Sequence, residues 1–98
     1  MELGLKNKVA FVAASSKGLG KSVALELAQE GSKIIINGRN KNDLEKTKRE
    51  IEKQTNGEVL ALTGDLSIPA ERDSIIKDAL QAHSSIDILV TNTGGPPT

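Results

Sequence analysis

An α/β fold built on a doubly wound parallel sheet is what this sequence predicts, and three observations predict it. Short apolar runs alternate with longer segments of helical period, giving the order β-α-β-α-β-α-β. The apolar residues in the short runs are nearly continuous, as in strands buried on both faces of a parallel sheet. Each helical segment is bounded by residues that start or stop a helix. Right-handed crossovers then wind the helices onto both faces of one sheet.

The strands read as residues 8–14 ("KVAFVAA"), 33–37 ("KIIIN"), 58–64 ("EVLALTG") and 86–91 ("IDILVT"). Between the first two, residues 19–30 place Leu19, Val23, Leu27 and Ala28 on one helical stripe, and Gly31 supplies the left-handed residue that ends a helix. The second helix starts at Asn40, a good N-cap, with Asp43 three residues on. Leu44 and Ile51 are its only apolar anchors, so it lies largely in solvent until Asn56-Gly57 ends it. The third opens at Ser67 with Pro69 in its first turn. Its apolar side is Ile68, Ile75, Ile76, Ala79 and Leu80, and His83, near its end, reads as a solvated or end-capping residue rather than a ligand.

Ninety-eight residues, 37% hydrophobic and 27% charged with a formal net charge of zero, allow one small domain. The charge balance gives no electrostatic case for nucleic acid or an anionic membrane as partner. No cysteine is present, which excludes disulfides and thiolate metal sites. No metal site is expected. The start of the chain has no signal-like pattern and no apolar run reaches membrane-spanning length, so the expected location is the cytoplasm.

The chemistry concentrates at the first strand-to-helix turn, "AASSKGLGKS", residues 13–22. Read as G-x-x-x-G-x-G it retains Gly18 and Gly20, with Ala14 at the first glycine. Read as G-x-x-x-x-G-K-[ST] it retains Gly20, Lys21 and Ser22, with Ser15 at the first glycine. In both, backbone N–H groups approach an anion at the positive end of a helix. The second reading, a P-loop nucleotide hydrolase, gives Lys21 and Ser22 to phosphate and Mg²⁺ and Asp65 to the metal. Those three residues are equally ordinary first-turn and strand-end positions.

Three further positions favour a Rossmann-like dinucleotide fold with strand order 3-2-1-4. Gly38-Arg39 ends the second strand, where a ribose-reading residue belongs, and an arginine suits a 2′-phosphate. Gly64-Asp65-Leu66 closes the third strand, beside the expected adenine. Thr91-Asn92-Thr93-Gly94 closes the fourth at the crevice where strand order reverses.

With these motifs in order, the chain resembles the N-terminal part of the short-chain dehydrogenase/reductase family from about Lys6 to Gly95. The family's T-G-x-x-x-G-x-G appears as Ala13-Ala14-Ser15-Ser16-Lys17-Gly18-Leu19-Gly20. Its aspartate after the third strand matches Asp65, and its N-N-A-G matches Thr91-Asn92-Thr93-Gly94. The departures are Ala14, Thr91 and Thr93. An alanine in the turn requires a backbone free of positive-φ strain, and Ser15 and Ser16 serve either as hydroxyl donors or as turn formers.

The resemblance implies hydride transfer between a nicotinamide cofactor and a carbonyl or alcohol, such as a ketone or 3-oxoacyl group. The implied cofactor residues are Ser15, Ser16, Lys17, Gly18, Leu19, Gly20, Arg39, Asp65, Leu66, Asn92 and Gly94. Lys17 and Arg39 converging on the ribose predict NADP(H) over NAD(H). The family's catalytic Y-x-x-x-K has no counterpart, because the sequence contains no tyrosine. Residues 1–98 therefore read as the dinucleotide-binding part of an incomplete Rossmann domain, without catalytic residues and inactive alone. A stand-alone binding module is the alternative. A sheet face covered by one helix also predicts self-association.

Overall fold

A computed structural model of the chain describes residues 6–14 and 18–91. Its elements are β1 (Val9–Val12), α1 (Gly18–Gln29), β2 (Lys33–Gly38), α2 (Lys41–Thr55), β3 (Val59–Thr63), α3 (Pro69–His83) and β4 (Ile88–Val90). All strand pairs are parallel, in the order β3-β2-β1-β4. Fold class and strand order agree with the sequence reading.

The central strands are buried because every residue has a helix or a neighbouring strand against it. Ala10, Val12, Ile34 and Ile36 face α1 and α2 and share a core with Ala24, Ala28, Leu44 and Ile51. Val9, Phe11, Ala13 and Ile35 face the other way, onto Ile75 and Ala79 of α3. The alternation follows from the period of two along a strand. Two helices thus cover one face and one helix the other.

The helix boundaries follow local chemistry. The Asn40 side chain accepts the Asp43 N–H at 3.0 Å, the N-cap expected for α2. At the other end, Asn56 takes a left-handed φ of 56° and its N–H bonds Glu52 O at 2.9 Å. Gly31, at φ 93°, ends α1, and a Cβ there would lie 3.3 Å from Lys6 Cα. Thr47 joins Leu44 and Ile51 on the buried side of α2, at positions one turn apart.

Three sequence expectations are corrected here. The face that α1 presents to the sheet is Gly20, Ala24 and Ala28, while Leu19 is 70% exposed. Small residues let a helix approach a sheet closely, and the larger Leu25 and Leu27 flank the contact half-buried. Next, α3 has Ile68 at its N-cap with no side-chain cap bond. Ser67 instead turns back to Asp65, and Pro69 at the first position needs no N–H partner. Last, the His83 side chain is only 8% exposed and lies 3.7 Å from Glu58, so it is packed rather than solvated.

Lys21 of α1 pairs with Glu50 of α2 across the first helix layer. This ammonium, by hydrogen bond and charge, holds the Glu50 carboxyl below the ordinary glutamate value. A carboxyl whose folded value is depressed stabilises the fold above its unfolded value, and that contribution is lost as pH falls through the folded one. Glu50→Gln is expected to flatten the acid limb of stability against pH, with little change at neutral pH because the pair is exposed to solvent. Thermal midpoints from pH 7 into the acid range would show it. Identical acid limbs would mean that the pair is equally formed in the unfolded chain.

Candidate functional site

A parallel sheet collects the C-terminal ends of its strands along one edge, and every described candidate residue lies there. Ala13 and Ala14 follow β1, Gly38 and Arg39 end and follow β2, and Gly64, Asp65 and Leu66 follow β3. The Ala13 N–H donates to Val90 O at 3.0 Å, which brings the end of β4 beside the start of the first turn. The direction of winding changes between β1 and β4, because α1 and α2 lie on one face and α3 on the other. Ligands of open α/β sheets bind in the crevice at such a point.

Ala14 adopts a left-handed φ of 52°. The sequence reading required an unstrained alanine here; the structure keeps the glycine-like backbone and places an alanine in it. An L-residue in this region carries about 1–2 kcal/mol of steric cost, while glycine adds about 0.4–1 kcal/mol of unfolded-state freedom. Ala14→Gly is therefore expected to stabilise the chain by about 0.5–1 kcal/mol, read as a higher denaturation midpoint. A lower midpoint would show that the methyl group makes contacts worth more than the strain.

Gly18 opens α1 at φ 66°, and a Cβ placed on it would meet nothing within 4 Å. The described residues thus leave the Gly18 backbone open to a group approaching the helix end. The first turn of α1 holds no acidic residue, so nothing there neutralises the positive end of the helix. Leu19 stands exposed beside it and Gly20 is buried against the sheet. These features fit a phosphate group held by backbone N–H donors. Ser15, Ser16 and Lys17 within the turn, and Asn92 and Gly94 after β4, lie outside the described residues.

The residues that favoured a P-loop are engaged elsewhere. Lys21 pairs with Glu50, and the Ser22 hydroxyl donates to Gly18 O within its own helix at 3.3 Å. Asp65 accepts both the Ser67 hydroxyl at 2.6 Å and the Ser67 N–H at 2.9 Å. Among the described residues no cluster of His, Cys, Asp or Glu is placed to hold a metal ion, and no helix is long and apolar enough to cross a membrane.

At the C-terminal end of β2, Arg39 is exposed and lies between the last residue of the strand and the N-cap of α2. The bonds from Ser67, helped by the charge of Arg39, hold the Asp65 carboxyl below the ordinary aspartate value. The charge of Arg39 thus reaches Asp65 across the β2 and β3 ends. Gly38 brings no carboxylate to this place, but Asp65 does. The Leu66 side chain packs into the α3-side core, leaving its backbone at the turn.

Two residues of this edge were not singled out in the sequence. The Asn37 amide donates to Leu62 O at 3.0 Å and Gly64 O at 3.1 Å. Glu71, in the first turn of α3, accepts the Asp65 N–H at 2.9 Å. The available signal for Asn37 is a polar residue closing an all-isoleucine strand; for Glu71 there is none, since acidic residues are common in first turns.

The pattern of the short chain dehydrogenase family matches residues 8–98, and the chain belongs to that family. It is 33% identical over 90 residues to elsinochrome reductase 1 of Elsinoe fawcettii, covering 92% of this chain and 34% of that protein. The structure of L-sorbose reductase from Gluconobacter frateurii, complexed with NADPH and L-sorbose, superimposes with a TM-score of 0.93 at 29% identity, covering 97% of this chain and 36% of that one. A metagenomic short-chain oxidoreductase in complex with NADP gives a TM-score of 0.84 at 29% identity, covering 91% of this chain and 40% of that one. The chain thus spans about a third of the length of the curated relatives it matches.

Proposed function

We propose that this chain forms the NADP(H)-binding portion of a short-chain oxidoreductase acting on a carbonyl or alcohol, a ketone or 3-oxoacyl group being the substrate class. The observation that carries the cofactor choice is Arg39, an exposed cation directly after β2 with glycine rather than an acid before it. Two of the structural neighbours were solved with NADPH or NADP, which supports the same choice. In this reading the turn from Ser15 through Lys17, Gly18 and Leu19 to Gly20 holds the pyrophosphate. Arg39 and Lys17 take the 2′-phosphate, Asp65 and Leu66 flank the adenine, and Asn92 and Gly94 lie along the crevice toward the nicotinamide. The cofactor, when bound, supplies or accepts the hydride. The described residues bind and orient its adenosine end, and the 98 residues contain no tyrosine to serve as the family's proton donor. The cytoplasm is the proposed location.

Calorimetric titration with adenosine 2′,5′-bisphosphate, compared with ATP and Mg²⁺, tests this reading. The bisphosphate is expected to bind more tightly, through Arg39. Tighter binding of Mg-ATP would return the turn to the P-loop reading.

We also infer that the 98-residue chain self-associates. Leu89 of the edge strand β4 is 65% exposed and pairs in register with Phe11, and Ile76 and Leu80 of α3 are also exposed. Exposed apolar groups beside an unpaired parallel strand favour association. Sedimentation is expected to show concentration-dependent oligomers that Leu89→Lys shifts toward monomer. A wild-type chain that stays monomeric at high concentration would refute this.

A further inference from the structure

We propose that Asn37 is a positioning residue for cofactor discrimination: its buried amide locks the β2 end that carries Arg39 to the β3 turn that carries Asp65. The proposal rests on the dinucleotide reading of this edge.

Asn37 is 3% exposed and pairs in register with Leu62. By strand alternation it belongs to the same sheet face as Ile35, whose neighbours Leu60, Leu62 and Leu66 are apolar. An apolar side chain of this size would bury more favourably there, since an amide must first be desolvated and then recovers only a modest net gain from its bonds. What the amide provides instead is geometry. It donates to Leu62 O, within the β2–β3 ladder, and to Gly64 O, one residue beyond the last pair, Gly38 with Thr63.

The strand pair is thereby extended past its natural end. The Gly64 N–H donates to Gly38 O at 2.9 Å, and the Gly64 carbonyl accepts from Asn37. The next N–H, that of Asp65, is taken by Glu71. The Gly64 N–H and C=O and the Asp65 N–H are therefore all held, the first two by Gly38 and Asn37, the residues immediately preceding Arg39. Gly64 also lets this turn lie close against α3, because a Cβ at its φ of 154° would sit 2.7 Å from Ile75 Cδ1. Arg39 and Asp65 leave two strands 26 residues apart in sequence, yet a single buried side chain fixes the peptides from which both emerge. A 2′-phosphate on Arg39 and an adenine at Asp65 belong to one short ligand fragment, joined through a single ribose. Holding their two partners in fixed relation lowers the ordering needed on binding.

The test uses Asn37→Leu, which keeps size but cannot donate, and Asn37→Thr, a good strand former whose hydroxyl is too short to reach Gly64. The threonine variant serves if the leucine variant does not fold. Hydrogen exchange at the Gly64 and Asp65 amides is expected to accelerate at least tenfold in the folded variant, with exchange at Ile34–Ile36 unchanged. The preference for adenosine 2′,5′-bisphosphate over AMP is expected to fall at least fivefold. Arg39→Ala should then remove less of that preference than it does beside Asn37. A loss of global stability alone, with exchange at 64 and 65 rising only in step with the whole chain, would reduce Asn37 to a structural role and overturn the proposal. So would an unchanged ligand preference in a wild type that has one. If the wild type draws no distinction between the two nucleotides, the cofactor reading fails, and with it discrimination by Asn37; the exchange data still decide whether the two turns are coupled.

Discussion

Arg39→Ala is expected to lower the preference for NADPH over NADH by roughly tenfold to a hundredfold, the range of a hydrogen bond to a charged group. The effect should fall on NADPH affinity and leave NADH affinity nearly unchanged, because only the 2′-phosphate distinguishes the two. Guanidinium suits this task by its planar donor fork and permanent charge, so Arg39→Lys should recover only part of the preference. The carboxylate of Asp65 acts on the same guanidinium. The 2′-phosphate adds charge to the contact, so raised salt should weaken NADPH binding more than NADH binding. Equal affinity ratios for wild type and Arg39→Ala would remove Arg39 from the site.

The second large effect is expected at Gly64. Its φ of 154° lies where side chains are strained, and a Cβ would sit 2.7 Å from Ile75 Cδ1 and 3.4 Å from Glu71 Oε1. Ile75 is itself buried in the α3-side core, so its methyl group cannot swing away without disturbing Phe11 and Ile35. Backbone strain and overpacking together place Gly64→Ala at roughly 2–4 kcal/mol of destabilisation. That is a large part of the roughly 5–15 kcal/mol that holds a domain together. Gly18→Ala makes a useful contrast: the same change at φ 66°, with none of the described residues within 4 Å of the new methyl group, should show only the net conformational cost of about 0.5–1 kcal/mol. Urea midpoints of the two variants would separate the terms. Similar values for both would mean that Ile75 repacks freely.

The sheet was legible because its signal is redundant. Three consecutive isoleucines in β2 and the apolar runs of β1, β3 and β4 mark strands, and right-handed crossovers then leave few strand orders; burial on both faces holds for β1 and β2, while β3 and β4 at the sheet edges are partly exposed. The cap at Asn40 was legible because it is local, with donor and acceptor three residues apart. The face of α1 was not, because Gly20, Ala24 and Ala28 carry little hydrophobic signal although they make the closest contact with the sheet. Leu19 looked like a core residue by type and is exposed by position. At the candidate site, the separate motifs could be read, but the bonds that tie them could not. Asn37 reaches a carbonyl 27 residues away, and that pairing exists only once the register of β2 on β3 is set.

The three-residue strand β4 bears on how the chain comes together. It is joined to β1 in register from Ala10–Ile88 to Val12–Val90, and Asp87 fastens its start by accepting the Val9 N–H at 2.8 Å and donating its own N–H to Val9 O at 2.9 Å. Every other strand pair joins neighbours in sequence, whereas this one closes a loop that contains all the rest of the sheet. The entropy of that closure has to be met by three residues and one carboxylate. The β1–α1–β2–α2–β3 portion closes only short loops, so β4 is expected to be the final piece to dock and the first to detach. On that expectation the crevice between β1 and β4 forms last and opens first, and the affinity of anything bound there would include the work of keeping β4 in place.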